Sequence, residues 1–271
     1  MSKTKKILYA SFFLAAICGV ILGMIRGEIM FESPYPAFYI AIGIVFVFLI
    51  PAAHFTSVNS KIEGREDINI ADLPTNWDEL YTKRIKLFQL ISVFVILIAA
   101  VRSITLSMGS TIGLVSAVFA FACSASIFFR VKEKDLADNT AVLSLFPVFY
   151  LCFYLLMFYR STAKFPDLNL FGPQIITLSA LIVTAYFNAA TKFGSRPAIL
   201  RYLISFFSLS LTLGDLIAYL FTANAISITE ASGYLLNICG FTLYFTISLL
   251  VPPVRFFKTN AKNISKDNKK A

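Results

Sequence analysis

Apolar residues are gathered into eight long runs, 7–25, 37–53, 87–106, 111–129, 140–159, 171–190, 199–221 and 227–251, with mostly short polar connections between them. A helix rising 1.5 Å per residue needs about 20 mostly apolar residues to cross ~30 Å of hydrocarbon, which is the length these runs have. The pattern predicts an all-α fold: a polytopic membrane helix bundle with eight transmembrane helices over residues 1–254, followed by a basic tail, 255–271. One connection, 54–86, is long. Within it Pro74, Thr75 and Asn76 precede Asp78 and Glu79, a helix-start pattern that predicts an interfacial helix near 75–84 with Trp77 and Tyr81 at headgroup level. The fifth run carries Pro147 among Phe146, Phe149, Tyr150, Phe153 and Tyr154, which predicts a kinked span with aromatic walls.

Three runs carry a polar stripe. In the seventh, Arg201, Ser205, Ser208, Thr212, Asp215 and Tyr219 recur at strict four- and three-residue steps, so they share one face of one helix. Glu230, Tyr234, Asn237, Phe241, Tyr244 and Ser248 do the same in the eighth, and Gln174, Thr177, Thr184 and Asn188 nearly so in the sixth. An ionisable residue inside a span costs ~2.5–3.5 kcal/mol on insertion scales, so each needs a partner or a water-filled cavity. Arg102, Asp215 and Glu230 fall toward the same side of the membrane, and the expected pair is Arg102 with Asp215, with Glu230 nearby. Ser227-Ile228-Thr229-Glu230 also reads as a capping box. The seams have two readings: interhelical glue, at about 0.6 kcal/mol per hydrogen bond, or a solvated pathway. On the second, the candidate ligand-binding or ion-pathway residues are Arg102, Gln174, Thr212, Asp215, Tyr219, Glu230, Tyr234 and Asn237.

Composition agrees with a membrane chain: 58% of residues are hydrophobic and 14% charged, where a soluble domain carries about 25% charged residues. Lys and Arg outnumber Asp and Glu 24 to 15, an excess that in a soluble chain would suggest nucleic acid. Threaded through eight spans, however, 20 of the 24 fall on one side, leaving Arg26, Arg102, Arg160 and Lys164 opposite. Positive loops stay inside. The expectation is therefore a multi-pass plasma-membrane protein with both termini cytoplasmic and no nucleic-acid partner. Lys258, Lys262, Lys266, Lys269 and Lys270 would meet anionic lipid at the cytoplasmic face, for roughly 1 kcal/mol each. The first run is too long for a signal-peptide core and lacks a small-x-small cleavage site, so it is expected to be retained.

The chemistry is narrow. His54 is the one histidine, so paired haem ligands, a Ser-His dyad in mid-membrane and a histidine-rich metal site are missing. Cys18, Cys123, Cys152 and Cys239 lie singly in four runs, without metal or redox spacing. Leu213-Gly214-Asp215 contains the Gly-Asp pair of an intramembrane aspartyl protease, but no second membrane aspartate accompanies it. The expectation is no enzyme, no metal and no cofactor. The expected function is a small-molecule or ion transporter, or a membrane substrate-capture subunit, with an outward-facing polar site on spans 3, 6, 7 and 8 suited to an ionic or zwitterionic solute. The alternative is a non-catalytic sensor, scaffold or assembly subunit of a larger membrane complex.

Overall fold

The computed structural model describes residues 3–28, 36–62, 68–69, 83–106, 111–132, 140–163, 171–190, 198–221, 228–250 and 254–255, without some side chains at helix ends. These residues form eight long helices: α1 Lys3–Glu28, α2 Pro36–Ile62, α3 Lys83–Leu106, α4 Thr111–Lys132, α5 Phe146–Thr162, α6 Gly172–Ala190, α7 Ala198–Phe221 and α8 Ile228–Ser248. The helical membrane bundle expected from the eight runs is the fold observed. Five helices contain stretches long and apolar enough to cross a bilayer, Lys5–Gly27, Pro36–Ser60, Lys83–Arg102, Gly172–Ala190 and Ile199–Phe221, and shorter apolar stretches lie in α4 and α8. The surface agrees: large apolar side chains such as Phe13, Ile44, Phe48, Phe94, Val118 and Leu220 point outward, where a bilayer would cover them.

The fifth run is broken. A single turn, Thr140–Leu143, is followed by a turn at Ser144-Leu145, and α5 starts with Pro147 in its first turn. Proline has no N–H to donate and its ring clashes with the preceding turn of helix, so it is tolerated at a helix start and forces a restart here. Residues 75–82 of the expected interfacial helix and the tail lysines 258–270 lie outside the described residues. Beyond the helices, Ile68–Asn69 pairs in parallel with Val254–Arg255, tying the long connection to the chain just past α8.

Side-chain contacts fix the relative directions of the helices. α1 and α7 run parallel, since Gly19 abuts Ser210, Gly23 abuts Gly214 and Gly27 abuts Phe221. α2 is antiparallel to α7, with Phe46 on Phe207 and Tyr202 hydrogen-bonded to Ser60. α8 is antiparallel to α7 through Asp215–Tyr234 and Thr212–Thr242, and to α5 through Phe158–Tyr234 and Tyr150–Phe241. Odd-numbered helices thus run opposite to even-numbered ones in these pairs, as successive crossings require.

The apolar interior is split in two. One core joins α1, α2 and one face of α7 around Leu8, Leu22, Phe38, Leu49 and Phe206. The other joins α3, α4, α5 and α8 around Ile96, Cys123, Tyr150, Ile238 and Phe241. α6 contributes to both, through Ala180 to the first and Leu178, Leu181 and Ala185 to the second. Each lobe has its own glycine contact. A Cβ on Gly23 would sit 2.8 Å from the Gly214 carbonyl oxygen, and one on Gly240 would sit 2.8 Å from Ile96 Cγ1. At Gly23 the close atom is backbone, so only glycine lets the two helices approach this closely, while at Gly240 it is the Ile96 side chain. The second face of α7 carries the polar stripe and lies on the boundary between the lobes.

Candidate functional site

The three stripes read from the sequence all face inward and meet. Arg201, Ser205, Ser208, Thr212 and Asp215 of α7, Gln174, Thr177, Thr184 and Asn188 of α6, and Tyr234, Asn237 and Tyr244 of α8 are all buried. At the lowest rung, Arg201 donates to the Ser248 carbonyl at 3.2 Å and to Asn188 Oδ1 at 3.5 Å, holding the last turns of α8 and α6. A guanidinium at helix C-termini meets carbonyls that lack intrahelical partners. Midway, the hydroxyls of Thr212 and Thr242 share a hydrogen bond of 2.8 Å between α7 and α8. Beside it Tyr150 donates to Asn237 Oδ1 at 2.6 Å, joining α5 to α8. Thr184 and Ser208 bond back to carbonyls of their own helices. Mutating Thr212 and Thr242 to Val, singly and together, should yield a coupling of about 0.6 kcal/mol in a double-mutant cycle read by unfolding in detergent.

The top rung differs in kind. Asp215, 3% exposed, forms an ion pair with Arg26 of α1, 4% exposed, and its second carboxylate oxygen accepts a hydrogen bond from the Tyr234 hydroxyl. The ion pair belongs to the α1–α7 lobe and the phenol to the other. Thr177 also faces the Tyr234 hydroxyl. Gln174 Nε2 donates to Tyr219 at 3.4 Å, while Gln174 Oε1 is buried and accepts no hydrogen bond from the described residues. Against the pair lies a cavity of about 10 Å³, room for about one water molecule. Leu22, Phe38 and Ile42 wall it on one side, and Arg26, Thr177 and Asp215 supply its polar groups.

The partner of Asp215 differs from the expected one. Arg102 sits half-buried on α3, which packs on α4 and α8, and it does not pair with Asp215. The cause is the glycine seam: it brings the C-terminal end of α1 against α7, so that Arg26 reaches the carboxylate. In the sequence Arg26 lies one residue past the first apolar run, on the side opposite most of the positive charge. The available signal was Gly19-x3-Gly23-x3-Gly27, a small-residue face that marks α1 for close helix packing and carries Arg26 one position before its last glycine. Of the other candidates, Gln174 and Tyr219 are brought together, Asp215 and Tyr234 are brought together, and Thr212 and Asn237 line the rungs below. The side chain of Glu230 lies outside the described residues. Among the described residues, no three His, Cys, Asp or Glu side chains are grouped to hold a metal ion.

Fold and site together define the class: an integral membrane helical bundle of two apolar lobes with a buried charge pair at their boundary. No known protein family, curated protein or solved structure matches the chain.

Proposed function

We propose that the protein is a non-enzymatic transporter or substrate-capture subunit of the plasma membrane. It holds a small solute or ion at the Arg26–Asp215 rung, and the described arrangement is its closed form. The observation that carries this reading is the place of the ion pair. A buried pair is a poor stabiliser compared with apolar packing, and here it adjoins a cavity and shares a hydrogen bond across two apolar cores that are joined through α6. Two bodies with their own cores and a polar boundary can move against each other around a central site. The charge distribution supports cytoplasmic termini, which would put this rung toward the outside. Burial of Arg26 in the bundle also accounts for one of the four positive residues on the side opposite the other 20.

A second reading has its own support. The lower rungs are bonded helix to helix, as in a rigid scaffold or assembly subunit. Solvent access separates the two. With the four native cysteines replaced, Thr212→Cys in intact membranes should react with a charged methanethiosulfonate within minutes, while Phe241→Cys in the dry core should not. If Thr212→Cys is as inert as Phe241→Cys, the seam never opens and the transport reading fails.

A further inference from the structure

Resting on that reading, we infer that the ligand of the Arg26–Asp215 rung is a small zwitterion carrying one ammonium and one carboxylate. The charge balance at the rung selects it. Arg26 and Asp215 are both buried and paired, so their formal charges cancel. A lone cation entering the cavity would gain Asp215 but lie against the guanidinium. A lone anion would meet the reverse. A neutral polar solute would have to part the two charges and leave each without a counter-charge in a site where water is scarce, which is the costliest state of a buried pair. A zwitterion exchanges one ion pair for two: its carboxylate takes Arg26 in the fork geometry guanidinium offers, and its ammonium takes Asp215.

The rest of the rung suits this division. An ammonium has three donors and no acceptor, so next to the carboxylate it needs further acceptors. Gln174 Oε1 is buried and accepts nothing from the described residues, one helical turn from Thr177 on the same face of α6, and the Tyr234 hydroxyl lies against Asp215. Thr177 and Asp215 line the cavity that adjoins the pair. That cavity holds about one water, so binding must part Arg26 from Asp215. This ties occupancy of the site to movement at the lobe boundary, because Asp215 also holds Tyr234 of the opposite lobe.

The test uses the full-length protein in detergent, with glycine, β-alanine and 4-aminobutyrate as zwitterions of increasing charge separation, and with acetate and methylammonium as single-charge controls. At least one zwitterion should raise the melting temperature saturably while neither control does so at equal concentration. The effect should fall about tenfold to a hundredfold in apparent affinity in Gln174→Leu, which leaves the ion pair intact. If a single-charge control shifts melting as strongly as the zwitterions, or if none of the three zwitterions binds, the inference is overturned. The transport reading survives either result as long as Thr212→Cys is labelled, so the two can fail separately.

Discussion

Asp215→Asn is expected to lower stability by about 3–5 kcal/mol, because it leaves the Arg26 guanidinium buried without its counter-charge. Arg26→Gln should cost a similar amount by stranding the carboxylate. The informative variant removes the whole group: Arg26→Met, Asp215→Val and Tyr234→Phe together replace the pair and its phenol by apolar side chains. Because apolar replacement of a buried pair is often neutral or stabilising, this triple variant should unfold within about 1 kcal/mol of the wild type. It should also lose all zwitterion-induced stabilisation. Unfolding in detergent, followed by intrinsic fluorescence or circular dichroism, measures the first quantity, and ligand-dependent melting the second. A triple variant as unstable as Asp215→Asn would mean that the pair is an irreplaceable structural element.

Gly23→Leu should have an effect of comparable size by a different route. A Cβ at this position would already stand 2.7 Å from Ile217 Cβ and 2.8 Å from the Gly214 carbonyl oxygen, and backbone cannot give way as a flexible side chain can. α1 would have to lift off α7, breaking the hydrogen bond from Ser210 Oγ to the Ala15 carbonyl and drawing Arg26 away from Asp215. Overpacking alone costs about 1–3 kcal/mol. With the pair parted as well, the variant should give little monodisperse protein on size-exclusion chromatography. The effect should be graded along the chain. At Gly27 the nearest atom is 3.3 Å away, so Gly27→Ala should be milder, and Gly43 has nothing within 4 Å. Gly43→Leu should therefore change stability by no more than about 0.5 kcal/mol. Equal losses at Gly23 and Gly43 would show that the α1–α7 contact is not what holds the lobe together.

The architecture was legible where it depends on local pattern. Eight apolar runs gave the eight helices to within a few residues at most ends, because length and hydropathy are read directly from the chain. α2, which continues to Ile62 through polar residues beyond its run, departs most. The polar faces of α6, α7 and α8 were legible as well, since helical periodicity puts Thr212 and Asp215 on one side of α7 whatever packs there. The identity of the packing partner was not legible. Periodicity shows where Asp215 points but not which helix arrives there. Depth alone makes Arg102 and Arg26 equivalent, and the apolar run ends at Ile25, one residue before Arg26. What decided between them was backbone approach at Gly19 and Gly23, a steric property of α1 rather than an electrostatic one. Gln174 was legible as part of a stripe, but its vacant acceptor is a matter of three-dimensional bookkeeping that spacing does not contain.

The parallel contact of α1 with α7 has a consequence for biosynthesis. Ser210 and the Ala15 carbonyl it bonds are 195 residues apart. At about 5–20 residues per second the ribosome needs roughly 10–40 s to make the second after the first. Throughout that interval α1 is in or near the membrane with a bare glycine face and an arginine near its end that has no carboxylate to meet. Arrival of α7 supplies both partners at once. Chains truncated before α7 therefore lack Ser210, Gly214 and Asp215, which the first helix needs to complete its contacts, whereas completion of the seventh helix turns the oldest segment of the chain into part of a closed bundle.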